Sequence, residues 1–437
     1  MKKHLALVLA LVMVLTSFSF VSAAPDFSDM NDQPSAEAVS RLELLNVLKG
    51  YPDGTFRPEG EITRAEFAAV AVRISGLEGA AQSAQGMITS FSDVPAWHWA
   101  SGYVGIAASS GIVNGIGNGL FAPEAPVKYE EAVTMLVRAL GYEPEAQSKG
   151  GYPYGYLIVA EDIDLLDGLR GSLGVNATRG LVAMLTDNAL EIPMMVSIGF
   201  GDNVRWVVSG TERNVAEQFL IEKMGFEPVE GRVTSFSTSR KTVTLAGEGT
   251  FDVMDSFDYL ETEGVVIKAW VDKDDLVVAY VLQEDVYFDA VKYDEDDEVT
   301  LVTLDENFVV DEDADLVLNG STVRFSNLST FKADYAKVVL NDDGDVIWAK
   351  GVDFDQFIVV GEVDDDVVIA FDDFDDADLE DYDIVKDGKT IEIADIEEGD
   401  IVFVSNDNDF AVVYNSSEMG VVDRAYSMSF RMDGTVY

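Results

Sequence analysis

The sequence predicts a multidomain chain of the α + all-β class: an N-terminal helical bundle of three repeats, then tandem small antiparallel β modules. Three observations lead there. Apolar residues keep helical spacing up to Val196 and change to alternating spacing from Gly231 onward, where Val, Ile, Phe and Tyr are broken by Asp, Asn and Gly. In the first half one loop-and-helix unit returns after about 65 residues. In the second half one hairpin pattern returns at intervals of roughly 65 to 70 residues. At 437 residues the chain is also too long for a single core.

Residues 1–23 have the form of a secretory signal peptide: Lys2 and Lys3, an apolar run from Leu5 to Val21, and Val21-Ser22-Ala23 as the cleavage site. No later stretch is long enough to cross a bilayer as a helix. The formal charge is −51, which argues against a nucleic-acid partner because phosphates are repelled. The acidity is uneven, about −12 over 24–196 and about −41 over 197–437. There is no cysteine, so disulfides, thiolate zinc sites and a cysteine nucleophile are excluded. Beyond the signal segment His98 is the only histidine, which leaves few parts for acid–base chemistry and points away from an enzyme.

The first unit, 24–78, contains a helix with Ala38, Leu42, Leu45 and Leu48 on one face, ended by Gly50. A loop follows, Gly50-Tyr51-Pro52-Asp53-Gly54-Thr55-Phe56-Arg57-Pro58. Thr63 with Glu66 then forms a capping box that starts a second helix, buried through Phe67, Val70, Ala71 and Ile74. Arg64 occupies the first helical position, where a cation opposes the helix dipole at a cost of roughly 0.3 to 1 kcal/mol. Two readings stand: a solvated surface arginine on a capped helix, or an arginine facing an anion at a helix start with free amides. Residues 79–89, rich in Ala, Gln, Ser and Gly, look like a linker.

The second unit, 91–142, repeats the plan. Phe91-Ser92-Asp93-Val94 matches Phe27-Ser28-Asp29-Met30, and Gly115 to Pro123 matches the Gly50 to Pro58 loop. Lys128-Tyr129-Glu130-Glu131 stands in place of Thr63-Arg64-Ala65-Glu66, so the arginine and the threonine cap are lost. Trp97, His98 and Trp99 follow Pro95; they either close the bundle as packing and capping residues or line a sugar-binding groove. The third unit, 143–196, lacks the Gly-x-Phe-x-Pro loop but keeps Thr178-Arg179 at a helix start.

The pattern Phe-x-Asp, His98-Trp99-Ala100, Gly-x-x-x-Gly-x-Phe-x-Pro and Ile-Thr-Arg-Ala-Glu resembles the S-layer homology (SLH) repeat of bacterial surface proteins, specifically in the first unit and with drift in the second and third. The resemblance covers about Phe27 to Val196. It implies a secreted protein held non-covalently on the cell wall. It further implies a three-lobed bundle whose grooves bind secondary cell-wall polysaccharide, often pyruvylated, with the motif arginine on the acid group. Carried over by position, Arg64 and Arg179 are polysaccharide ligands, with Asp29, Asp93 and Trp99 as supporting residues, while Tyr129 puts the second site in question.

Residues 197–230 form a bridging segment, with a short strand at Arg205 to Val208 and a helix expected from Thr211 to Met224. The β modules are expected at 231–285, 286–352 and 353–419, each carrying one of the hairpins 265–280, 336–349 and 401–414. A fourth opens at 420–437, either cut short in this sequence or pairing with a neighbouring molecule by strand addition. Acidic runs at 294–298, 311–315, 364–366 and 372–383 are either Ca2+ ligands at hairpin tips or solvated turns and edges. The whole is expected to be a structural cell-surface protein that forms or decorates an S-layer through self-assembly. The alternative is a surface enzyme or carbohydrate-binding protein on the same anchor.

Overall fold

The computed structural model describes residues 27–30, 33–200, 203–254, 257–293, 297–302, 304, 306–364, 367–370, 376–380, 382–386 and 389–414, and the backbone of strands at 422–426, 429–432 and 435–436. The expected signal segment therefore lies outside the described residues, as do 294–296, 365–366, 372–375 and 381 of the acidic runs. Two compact units divide the chain, one comprising Val21–Val229 with Ala269–Tyr280, the other Glu230–Lys268 with Val281–Tyr437. The model has helices in the first half and strands in the second, as the change of period predicts.

The helical unit contains α1 (Ala36–Leu44), α2 (Arg64–Ile74), α3 (Glu78–Ala84), α4 (Ser101–Ser109), α5 (Tyr129–Ala139), α6 (Glu143–Ser148), α7 (Tyr154–Asp162) and α8 (Arg179–Ala189). Helices α2, α5 and α8 are buried on most sides, through Phe67, Ala71 and Ile74, through Val133 and Leu136, and through Val182 and Leu185. The expected linker 79–89 is instead largely helix α3. Its alanines favour the helix, Ala81 is buried, and Gly102 of α4 admits the Ala81 carbonyl to a place that any Cβ would occupy, 2.0 Å away. The same device recurs at Gly155 of α7 against Ala146 of α6. After Thr178 and α8 come the hairpin strands β1 (Met195–Ile198) and β2 (Arg205–Val208).

The helix expected over 211–224 shrinks to α9 (Leu220–Lys223). Thr211 turns its hydroxyl back to the Val208 carbonyl, 2.6 Å, instead of capping forward, and Glu212 pairs with Arg205 on the hairpin. Local side-chain bonds thus outcompete the helix there.

In the strand-rich second half, β3 (Glu227–Ser237), β4 (Thr242–Leu245), β5 (Gly249–Val253), β6 (Val266–Val271) and β7 (Leu276–Leu282) close a barrel in the order β3-β4-β5-β7-β6, with α10 (Tyr259–Thr262) before β6. Strands β8 (Asp285–Tyr293), β9 (Glu298–Leu301), β10 (Glu306–Leu318), β11 (Ser321–Val323), β12 (Ala333–Leu340) and β13 (Val346–Val352) form a sheet in the order β11-β10-β13-β12-β8-β9. Because β9 also pairs with β10, this sheet curls back on itself around Leu301, Leu316, Ala336 and Val338. Strands β14 (Gln356–Asp364), β15 (Val367–Ala370), β16 (Ala377–Asp378), β17 (Asp383–Lys386), β18 (Lys389–Thr390), β19 (Ile401–Ser405) and β20 (Phe410–Tyr414) make the next sheet.

The expectation of purely antiparallel modules needs correcting. β10 runs parallel to β13, and β17 runs parallel to β20. The antiparallel hairpins β12–β13 and β19–β20 each gain a third strand that arrives by crossover, so alternation within strands says nothing of its direction. In the terminal segment β21 (Val422–Tyr426), β22 (Ser429–Met432) and β23 (Thr435–Val436) pair with one another, antiparallel.

Candidate functional site

Three short segments meet in a ring at the starts of α2, α5 and α8. Glu61 bridges Thr178, Thr63 bridges Pro126 and Lys128 bridges Asn176, all antiparallel. The Val127 amide donates to the Ile62 carbonyl and the Ala177 amide to the Val127 carbonyl, 2.9 Å each. Ile62, Val127 and Ala177 are buried at its centre. The equivalence is positional: each lies two residues before the first residue of its helix.

The free helix-start amides argued for Arg64 are in fact occupied. Arg64 donates its amide to Ala125 O and Ala65 to Pro123 O, while Glu66 donates to the Thr63 hydroxyl. Tyr129 donates to Val175 O, and Arg179 to Gly60 O. What remains for an anion at these junctions is the side chain. The capping box itself is present, with Thr63 N and Oγ1 both donating to Glu66 Oε2 at 2.8 Å.

Neither motif arginine is a solvated surface residue; Arg64 is 6% exposed and Arg179 7%. Arg64 reaches across to the next loop, donating from Nε to Phe121 O at 2.9 Å and from Nη2 to Asn114 O at 3.2 Å, with its guanidinium 4.9 Å from the Phe121 ring centre. Nη1 pairs with Glu131 Oε2 at 3.1 Å. Arg179 repeats the geometry on the first loop: Nε to Phe56 O and Nη2 to Lys49 O, both 2.9 Å, with the Phe56 ring at 4.5 Å and the Tyr51 ring at 5.0 Å. At the remaining junction Tyr129 faces Gly171, where a Cβ would stand 2.2 Å from the tyrosine ring. The arginine and the loop phenylalanine are thus both replaced there, by one ring and an empty place.

A family model, the S-layer homology domain, matches residues 26–68 and 90–133. The chain carries S-layer homology repeats. It is 31% identical over 306 residues to the middle cell wall protein of Brevibacillus brevis, covering 64% of this chain and 28% of that protein. It is 28% identical over 354 residues to a cell surface protein of Thermoanaerobacter kivui, covering 78% and 44%. With the surface layer protein of Brevibacillus choshinensis it shares 27% over 509 residues, covering 98% and 45%. The chain thus spans less than half the length of these relatives. Its place is the cell-wall surface, and among the described residues no helix is long and apolar enough to cross a membrane.

Within these repeats Asp29 and Asp93 do the same work. Asp29 accepts from the amides of Phe56 and Arg57 at 2.8 and 2.7 Å, and Asp93 from those of Phe121 and Ala122 at 2.8 and 2.7 Å. Each carboxylate holds a loop residue at positive φ, Arg57 at 60° and Ala122 at 61°. Burial works to raise both carboxyls, but the paired amides outweigh it and hold them below the usual aspartate range.

Trp97 and Trp99 do not close the bundle. They are 84% and 49% exposed, and Trp99 stacks loosely on His98, ring centres 5.9 Å apart. His98 is buried, accepts from the Ala100 amide through Nδ1 at 3.1 Å, and sets Nε2 3.1 Å from Glu124. It shapes the turn into α4, as a capping residue does. Tyr152, to which the sequence assigns no site role, stands two residues before α7 as Trp99 does before α4, and is likewise exposed. Its hydroxyl is shifted upward by burial and by the carboxylates of Glu130 and Glu131.

Sequence reasoning also missed Arg73 and Arg138. Arg73 binds Val47 O and pairs with Glu78, which accepts from Tyr103 at 2.6 Å; Arg138 pairs with Glu143 and donates to Tyr156. The signal was present as a repeated Arg-x-x-Gly-x-Glu, at Arg73 to Glu78 and Arg138 to Glu143. Among the described residues no group of three or more histidines and carboxylates is placed to hold a metal ion.

Proposed function

We propose that this is a structural, non-catalytic protein anchored non-covalently to pyruvylated secondary cell-wall polysaccharide, its acidic β modules forming or decorating an S-layer. Residues 143–196 are a degenerate third repeat, a reading supported by the place of Ala177 and Arg179 in the ring. The glycan is held through an acid group at a helix-start junction, the candidate ligands there being Arg64 and Arg179, with Asp29 and Asp93 fixing the loops and the exposed face of Trp99 available to stack on a sugar ring.

The single observation that carries this reading is the pair of buried guanidinium groups at equivalent junctions in a chain of net charge −51. A polyanion is repelled by the rest of such a molecule, so binding an acidic glycan needs a localised cation of this kind.

Purified wall fragments test it. The full chain should co-sediment with walls that retain their secondary polysaccharide, and should stay in solution with walls whose pyruvate has been removed by mild acid. Equal sedimentation with both would overturn the acid-group reading.

A further inference from the structure

The three junctions that line the ring differ in charge, and this inference rests on the acid-binding reading just given. At the first, Arg64 Nη1 meets Glu131 Oε2 at 3.1 Å. At the second, Tyr129 stands in the arginine's place and packs against Gly171. At the third, Arg179 is 7% exposed, and no carboxylate lies within ion-pair distance of it among the described residues. Its Nε and Nη2 bind carbonyls, whereas Nη1 has no partner among the described residues and is not wholly enclosed. The residue that would mirror Glu131 here is Glu66, and its carboxylate is held by Thr63 N and Oγ1. At the mirrored position of the third repeat stands Leu181.

A buried guanidinium without a counter-charge is costly unless something supplies one. We propose that Arg179 is the one motif arginine with its charge free for the acid group of the glycan, and that Glu131 is a built-in carboxylate occupying the equivalent place on Arg64. The chain therefore takes up a single acid group, at the junction of the third unit with the Tyr51–Pro58 loop, where the Tyr51 ring lies beside Arg179. The Arg64 junction is closed by its own glutamate and acts as a strut.

The test is calorimetric titration of the full chain with a methyl glycoside bearing a 4,6-linked pyruvate ketal, alongside its neutral parent. Wild type should bind a single ketal glycoside per chain, and Arg179→Gln should weaken binding roughly tenfold or more, the effect of one charge-assisted hydrogen-bonded contact. Glu131→Gln, which keeps an acceptor for the Lys128 amide, should open a second site, and should restore a single site in the Arg179→Gln background. Thermal melts identify any variant that fails to fold, and Glu131→Gln in the wild-type background remains decisive if Arg179→Gln does. Unchanged stoichiometry in Glu131→Gln, or unchanged affinity in Arg179→Gln, overturns this inference while leaving the acid-binding reading in place. No preference of the wild type for the ketal over the neutral glycoside overturns both.

Discussion

Arg64 shows how one side chain can be legible in type and illegible in role. The sequence places it at a helix start and marks its charge as unexplained by the cap. Its partners, Phe121 O and Glu131, lie in the next repeat and come near only when the ring closes. Substitution to alanine would leave two carbonyls without their donor and Glu131 without its counter-charge, so Arg64→Ala should destabilise the helical unit by about 3–5 kcal/mol, as removing one partner of a buried pair does; a urea melt followed by circular dichroism measures this. Loss of wall binding by that variant is interpretable only beside its melt. Asp29 and Asp93 make a separate prediction. Their carboxyls are held below the ordinary aspartate range in the fold, so the stability they add is complete above that range and lost as pH falls through the depressed values. Asp29→Asn with Asp93→Asn should flatten the acid limb of stability against pH, and an unaltered limb would remove them as loop anchors.

At the scale of elements, a short turn does more than its length suggests. Helix α10 is capped by Asp258, whose carboxylate accepts from the Glu261 amide at 2.8 Å and from the Thr390 hydroxyl at 3.1 Å. At its other end the Lys337 ammonium of β12 donates to the carbonyls of Leu260, Glu261 and Glu263 at 2.9, 2.5 and 2.6 Å. Gly264 lies against Trp348, where a Cβ would be 2.3 Å from the indole. The three β modules, which alternation and hairpin spacing present as beads in a row, are therefore joined at one node. The hairpins were legible because their pattern is local; the node and the parallel pairs were not, because Asp258 and Thr390 are 132 residues apart in sequence. Burial pushes the Lys337 ammonium down to about 7. An unfolded lysine keeps its proton to about pH 10, so between those values the unfolded chain binds more protons and stability rises with pH. Lys337→Met should abolish that slope in urea melts of the β strands, and a slope equal to wild type would contradict the assignment.

Over the whole molecule, charge and architecture divide the labour. The helical half carries about −12 and the β half about −41, so the half proposed to bind the glycan is the one that repels a polyanion less. The same division predicts that raising salt weakens wall association only modestly, since the arginines are buried and screened little; sedimentation with walls across a salt series checks this. A collapse of binding at moderate salt would indicate a surface electrostatic contact instead. The acid-group account is tested most directly by a crystal structure of the full chain with a pyruvylated fragment of the wall polysaccharide. The account predicts the pyruvate carboxylate within hydrogen-bonding distance of Arg179 Nη1, beside the Tyr51 ring. A carboxylate seated away from every helix-start junction would contradict it.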